Sequence, residues 1–377
     1  MAVEETGTSM AGQGDLLDLS DCTILPGLVD AHVHLSMEAT ADPTRRQRQL
    51  ETTYTERRPV MARHLEQLAR AGVTGVRDGG DYGGFALRFR CEQREADDKS
   101  ATVVAIRAAG RAWRAAGRYG KLIGRPPRSG ERLAEAVRRD LAQAHRGDLV
   151  KIVQSGLNSL DDYGKVTLPQ FAVQELRAAV DVAHAQGRSV MVHSNGPEAV
   201  ARVIEAGCDS IEHGYFATLA VLEGASEAGT VWVPTLAPMW AYSESSGVPD
   251  KQRDVARRTL EHQLQAVGRA ARAGVTIAAG SDAGSIGVEH GAGLWAELWL
   301  LRQAGMSVPQ VVQAATSAAA QLLNRGAPSG GPWVGGPATF IAVQGSPEAL
   351  FTRPEPRVYA FLYDGAMGVT TCAPRHR

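Results

Sequence analysis

From Leu25 onward the chain keeps one rhythm of hydrophobic and polar positions. Short apolar, β-branched runs alternate with longer segments in which Ala, Leu and Val recur at helical spacing among Arg, Glu and Gln. That alternation is the pattern of βα units around a parallel sheet. Eight runs read as strands, at 24–34, 74–78, 102–108, 149–154, 189–193, 210–213, 231–235 and 276–281. Helices are predicted between them at 60–71, 132–145, 170–186, 198–206, 219–228 and 251–273, with two more at 293–304 and 309–324. Several close on a glycine just before the next strand (Gly72, Gly187, Gly207, Gly274), where glycine takes the left-handed C-cap conformation at little cost. Eight such units predict an α/β chain folded as a (β/α)8 TIM barrel rather than an open doubly wound sheet. No Gly-x-Gly-x-x-Gly follows the first strand, which weakens a dinucleotide-binding reading further. After residue 325 the chain turns rich in Gly and Pro, with strand-like pieces at 338–343 and 358–363, and reads as a small β appendage.

Length and charge narrow the class. The 377 residues accommodate a barrel of roughly 250 residues plus an appendage. Forty basic side chains against forty-one acidic ones leave no net basic field, which argues against nucleic acid or an anionic membrane as partner. The short clusters Arg45-Arg46, Arg57-Arg58 and residues 125–128 read as solvated surface. No apolar run approaches the roughly 20 residues that span a bilayer. The polar, acidic start does not resemble a signal peptide, and four scattered cysteines form no Cys-x-x-Cys pair. The expectation is a cytoplasmic protein acting on a small molecule.

The candidate chemistry lies at strand ends. In Pro26-Gly27-Leu28-Val29-Asp30-Ala31-His32-Val33-His34-Leu35, an apolar run ends in two histidines two positions apart. Side chains alternate along a strand, so His32 and His34 face the same way and can grip one metal ion. An isolated His-x-His is usually an ordinary pair of strand histidines. Here Lys151 stands in the fourth run, His193 and His213 end the fifth and sixth, and Asp282 follows the eighth. Each alone has a bland reading: a satisfied core histidine, a lysine reaching for solvent, an aspartate capping a turn. Together they fall on the C-terminal end of a parallel barrel, the face on which barrel enzymes carry their active sites.

The stretches PGLVDAHVHL, GVTGVRDGG, LVKIVQSG, VMVHSNG, SIEHGY, VWVPTLA, AAGSDAG and the run from His290 to Leu323 resemble the amidohydrolase superfamily in order and spacing. The similarity is greatest to the metal-dependent branch that holds Xaa-Pro dipeptidases (prolidases) and imidazolonepropionase-like enzymes. It implies two divalent ions, with zinc the expected metal. His32, His34 and Asp282 would hold one ion, His193 and His213 the other, and Lys151 would bridge them as a carbamate made from CO2. An ammonium cannot ligate a cation, whereas a carbamate offers two anionic oxygens. Paired ions lower the pKa of bound water toward ~7 and polarise a carbonyl, so the implied reaction is hydrolysis of a C–N bond by a bridging hydroxide. Asp282 would act as base and then as acid. Dipeptides or N-acyl amino acids are the expected substrates.

Three alternatives stand beside this reading: a cyclic amide or imidazolone hydrolase, a deaminase, and a non-catalytic scaffold. A deaminase would place a glutamate shortly after the strand-5 histidine, where Glu198 is available but falls at a helix start. A scaffold would normally have lost a ligand, and none of the six is missing. For the substrate, Arg111, Trp113 and Tyr119 in the basic, aromatic stretch after the third strand are candidate contacts, as are Tyr215 and His290. The loop 155–164, Trp240 and Tyr242 are further wall candidates. Relatives begin with several strands ahead of the proline-glycine motif, where this chain has about twenty residues with only 16–19 strand-like. The expected division is therefore an N-terminal remnant of the β appendage (1–21), the barrel (22–324) and the C-terminal β appendage (325–377). Thr339 stands where relatives carry an aspartate. Unpaired appendage edges would favour a homo-oligomer.

Overall fold

The computed structural model describes residues 19–95, 104–323, 340–355, 358–363 and 366–369. The run expected as one strand at 24–34 is two, β1 (Cys22–Leu25) and β2 (Leu28–Val33). Pro26 between them has no N–H for a ladder, and Gly27 passes so near Thr74 that a Cβ would lie 2.4 Å from its side chain. The chain changes sheets at this point.

Then follow α1 (Pro43–Gln49), α2 (Tyr54–Arg70), β3 (Val73–Asp78), α3 (Phe85–Glu95), β4 (Ala105–Ala108), β5 (Ala112–Trp113), β6 (Gly124–Arg125), α4 (Leu133–Leu141) and β7 (Val150–Val153). The next units are α5 (Val173–His184), β8 (Val190–Ser194), α6 (Pro197–Glu205), β9 (Ser210–His213), α7 (Leu219–Glu227), β10 (Val231–Val233), α8 (Ala237–Glu244) and α9 (Asp250–Arg272). After them come α10 (Ala292–Gln303), α11 (Val308–Gln313), a π-turn (Ala314–Ala318), α12 (Ala319–Leu322), β11 (Phe340–Gln344), β12 (Val358–Tyr363) and β13 (Ala366–Val369).

Two parallel sheets carry the α/β part, one ordered β2-β3-β4 and one ordered β10-β9-β8-β7-β5-β6. The segment expected as the eighth strand, 276–281, takes no regular strand but bonds to both sheets. Trp232 N donates to Thr276 O and Ala278 N to Trp232 O, each at 2.9 Å, while Ala31 N donates to Ala279 O at 2.9 Å. Gly280 explains the irregularity: a Cβ there would lie 2.5 Å from Val233 Cγ1 and 2.9 Å from His32 N. The π-turn splits the helix expected at 309–324, and the freed Ala314 carbonyl accepts from Ala279 N at 2.9 Å.

The stretch after the third strand, read as a loop, contains β5, in which Trp113 pairs with Ile152 of β7. The polar helices α1 and α3 were not legible as helices. Asp42 caps α1, and the Asp81 carboxylate accepts from Gly83, Phe85 and Ala86 N ahead of and within α3. The glycines expected at C-caps do have positive φ, at 77°, 64°, 80° and 83° for Gly72, Gly187, Gly207 and Gly274.

The C-terminal strands form an antiparallel sheet, β1-β11-β12-β13, in which Cys22 to Leu25 pair with Gln344 to Ile341. The expected unpaired edge of β11 is thus covered by residues assigned to the barrel, because the break at Pro26-Gly27 frees β1 to cross over. The strand-like 16–18, and Thr339, lie outside the described residues. No helix among the described residues is long and apolar enough to cross a membrane.

Candidate metal centre

Parallel strands and the irregular segment bonded to both sheets bring the six candidate ligands to one cavity. His32 is on β2 and His34 just beyond it, Lys151 is on β7, His193 on β8 and His213 ends β9. Asp282 N donates to His32 O at 2.7 Å, which pins the aspartate beside the end of β2. All six side chains line a cavity of about 140 Å³ together with Tyr119, Asn195 and Tyr215. Each of the six residues is buried.

Each imidazole is held by one nitrogen and offers the other. His34 Nδ1 donates to Gly80 O at 2.8 Å, and a carbonyl can only accept, so Nε2 is the nitrogen with a free lone pair. His32 Nδ1 lies 2.8 Å from Glu212 Oε2, and its buried Nε2 has no hydrogen-bonding partner. His213 Nδ1 lies 2.7 Å from Thr235 Oγ1. His193 is turned the other way: Nε2 donates to Gly156 O at 3.2 Å, leaving Nδ1. Rings held through one nitrogen by an oxygen are oriented as metal-bound histidines are. The rings crowd together, with centroids 5.4 Å apart for His32–His34, 5.1 Å for His32–His213 and 4.5 Å for His193–His213.

Burial sets the protonation. It pushes His34 down to about 4 and His193 to about 3, and holds His32 and His213 well below the ordinary imidazole range. The neutral ring is the form that ligates a metal. Burial likewise raises Asp282 to about 7 and lowers Lys151 to about 8. The Lys151 ammonium has no hydrogen-bonding partner despite being buried. Ligand atoms of His32, His34 and Asp282 lie within 4.8 Å of one another, close enough to hold one ion. An unpartnered His32 Nε2, an unpartnered Lys151 Nζ and four neutral imidazoles beside the Asp282 carboxylate suit a divalent cation.

Two of these residues sit on backbone that favours glycine: φ is 69° at His213 and 55° at Asp282. Thr235, the partner of His213, has φ 46°. Left-handed backbone at non-glycine residues carries strain, and here it gathers around one cavity.

Beneath the ligands runs a buried relay that the sequence pattern did not reveal. Arg77 Nη2 donates to Glu212 Oε1 at 2.7 Å, Nη1 donates to Ser210 Oγ at 2.8 Å, and Nε donates to Ala31 O at 2.7 Å. Glu212 in turn holds His32. Glu212 adjoins His213 in sequence, and an acidic residue inside an apolar strand run was the available signal.

Of the substrate candidates, Tyr119 and Tyr215 line the cavity. Tyr119 lies 5.5 Å from the His193 ring, and Tyr215 donates its hydroxyl to Thr235 O at 2.7 Å. Asn195 Oδ1 receives the Tyr215 amide. The other candidates are not brought to it. Arg111 is exposed and lines a separate cavity, with Nη2 donating to Gly83 O at 3.4 Å. Trp113 shares a register with Ile152, so it faces away from Lys151 and packs under Arg125 and Arg139. His290 stacks on His64, with ring centroids 3.9 Å apart, outside the cavity wall. Tyr242 and loop residues Leu157, Asn158 and Leu160 do reach the cavity, whereas Trp240 packs on Trp299. Glu198 is on the surface of α6, paired with Arg202 at 2.7 Å. The arginine clusters need correction too: Arg57 is buried and paired with Glu38, and Arg46 is half-buried in the cavity wall.

Relatives in sequence include Aspergillus niger ochratoxinase, 30% identical over 239 residues, covering 61% of this chain and 48% of that protein. An uncharacterised protein of Mycobacterium bovis is 34% identical over 187 residues, 48% of this chain and 49% of its own. The chain thus spans about half the length of the curated relatives it matches. Among solved structures, a Xaa-Pro dipeptidase with bound methionine in the active site superposes with a TM-score of 0.77 at 28% identity, over 96% of this chain and 91% of that one. The ochratoxinase crystal structure matches with a TM-score of 0.70 at 23% identity, over 91% and 82%, a likeness of fold. The model of the amidohydrolase family matches residues 23–366, and the chain belongs to that family.

Proposed function

We propose that this protein is a metal-dependent hydrolase that cleaves a C–N bond of the amide type in dipeptides or N-acyl amino acids. The observation that carries the reading is the convergence of four neutral imidazoles, a buried lysine and an aspartate on one cavity, each imidazole held through its other nitrogen. Family membership and the similarity to a Xaa-Pro dipeptidase support it. In this reading the two parallel sheets and the segment bonded to both close as a (β/α)8 barrel that begins at β2, and β1 (Cys22–Leu25) belongs with β11, β12 and β13 to the β appendage.

His32, His34 and Asp282 would hold one divalent ion, His193 and His213 a second, and Lys151 would stand between them as a carbamate, with zinc the metal. The ions would supply acidified water and a polarised carbonyl. The neutral Lys151 amine adds to CO2, forming the N–C bond and releasing a proton, and its lowered pKa makes that neutral form accessible near neutral pH. The Asp282 carboxylate can accept a proton from water and return it to the leaving amine. Tyr119 and Tyr215 bound the space left for substrate. A deaminase reading is weaker, because Glu198 is engaged with Arg202 on the surface.

The test is a panel of Xaa-Pro, Xaa-Arg, Xaa-Lys and N-acyl amino acid substrates with zinc or manganese in bicarbonate, run beside Lys151→Ala. Hydrolysis of at least one class, lost in the variant, supports the reading. Failure on the whole panel by metal-loaded protein overturns it.

A further inference from the structure

Arg46 is the one cation in the wall of the catalytic cavity, among the described residues, that the proposed metal centre does not use. It is half-buried on α1, and no acidic side chain among the described residues pairs with it. Its hydrogen bonds are two long ones from Nη1, to Thr40 O at 3.3 Å and Gly284 O at 3.5 Å. No hydrogen bond of Nε or Nη2 to the described residues competes for them, and a guanidinium edge of that kind fits a carboxylate with two parallel hydrogen bonds. Arg57 nearby is different, since its charge is met by Glu38 at 2.9 Å.

Two features of position say which carboxylate. The contact with Gly284 puts Arg46 on the side of Asp282, two residues away, where the leaving amine would take its proton. Arg46 also stands on a partition. Together with Met37 and Leu122 it lines both the catalytic cavity and a second cavity of about 250 Å³, whose walls include Leu50, Tyr82 and Phe85. A group bound at Arg46 therefore has the reaction centre on one side and an apolar, aromatic space on the other.

We infer that Arg46 selects a free α-carboxylate on the amino acid that leaves, and that the apolar side chain of this amino acid enters the second cavity. The inference rests on the C–N hydrolase reading above. It narrows the substrate class to N-acylated or N-aminoacylated amino acids with a large apolar side chain on the leaving residue. In an α-amino acid the carboxyl carbon is two bonds from the nitrogen of the scissile bond, and Asp282 and Arg46 line one cavity.

The test uses the zinc-loaded full chain, its Arg46→Met and Arg46→Lys variants, and three probes: N-acetyl-L-leucine, N-acetyl-L-leucinamide and N-acetylglycine. Turnover is measured as kcat and KM, binding by calorimetry, and folding by thermal unfolding. Loss of a charge-assisted hydrogen-bond pair is worth roughly tenfold to a hundredfold. The wild type should favour the acid over the amide by that factor. Arg46→Met should erase the preference through a raised KM for the acid, and Arg46→Lys should keep part of it. Equal binding of acid and amide by the wild type, or no binding of the acid, overturns the assignment. So does an Arg46→Met variant that weakens acid and amide alike. Equal handling of N-acetylglycine and N-acetyl-L-leucine overturns the placement of the side chain. If nothing is hydrolysed but calorimetry still finds an acid preference that Arg46→Met removes, the hydrolase reading fails and the role of Arg46 stands.

Discussion

Replacing Glu212 by glutamine tests how the histidines of the cavity are held. The carboxylate is fully buried and takes hydrogen bonds from Arg77 Nη2 at 2.7 Å and Ser210 Oγ on one oxygen, and faces His32 Nδ1 at 2.8 Å on the other. Glutamine keeps the shape but has one acceptor oxygen and one NH2 group. Whichever way the amide turns, a donor meets a donor, at Arg77 or at His32. The larger loss is charge, because Arg77 is also fully buried and Glu212 is its ion-pair partner. Breaking a buried pair from one side costs about 3–5 kcal/mol. At about 2.1 cal/mol/K of unfolding entropy per residue, a barrel of roughly 300 residues would lose about 5–8 °C in Tm. Urea unfolding followed by tryptophan fluorescence, with a thermal scan, measures the loss. Competition with a chelator measures zinc affinity, which should drop roughly tenfold to a hundredfold because His32 loses the group that orients it. Adding Arg77→Met removes the stranded charge and should recover part of the stability but none of the zinc affinity. A Glu212→Gln protein within about 1 kcal/mol of wild type, with zinc affinity unchanged, would refute the reasoning.

Further expectations follow from other parts of the structure. Wild-type protein given 13C-bicarbonate and zinc should show a carbamate carbon signal that Lys151→Ala lacks, and a signal persisting in the variant would assign it to another amine. Glu297 is buried under α8, accepts from Ala237 N at 2.8 Å and is held well above the usual carboxylate range by burial. A raised folded-state pKa means the native state keeps its proton while the unfolded chain releases it, so this group's stability contribution falls as pH rises above the ordinary carboxylate value. Relative to Glu297→Gln, wild-type stability should decline between pH 5 and 7 by up to about 1.4 kcal/mol per unit, and a pH-independent difference would contradict this. Gly280→Ala forces a Cβ against Val233 and His32 and should cost about 1–3 kcal/mol. Gly224→Ala in α7, with open space at its Cβ, should gain up to about 1 kcal/mol, and reversed signs in thermal unfolding would overturn both.

The sequence made the strand ends legible because two periodicities agreed there. His32, His193 and His213 close apolar runs that the fold uses as β2, β8 and β9. What it hid is tertiary. Nothing local distinguishes Arg46 from Arg45, yet Arg46 is turned into the cavity wall while Arg45 is exposed. Trp113 and Arg111 were attractive because a basic, aromatic stretch resembles a binding loop. Strand pairing with Ile152 decides otherwise for Trp113, since alternation along β5 sends it toward α4. The break at Pro26-Gly27 carries a local signal, the missing N–H of proline. Where β1 goes after the break depends on β11, more than 300 residues away. Glu212 and Arg77 belong to the same class, two charges in apolar runs whose meaning is their pairing across the interior.

The most direct test of the central claim is the zinc content of protein purified, stripped with chelator and reconstituted in bicarbonate. Metal is counted per chain in the wild type and in His32→Ala, His193→Ala and Lys151→Ala. Close to two ions per chain is the expected result for the wild type, with a loss in each variant. Retention of the wild-type zinc content by all three variants, or a wild type that binds none, would contradict the assignment of this cavity as a metal centre.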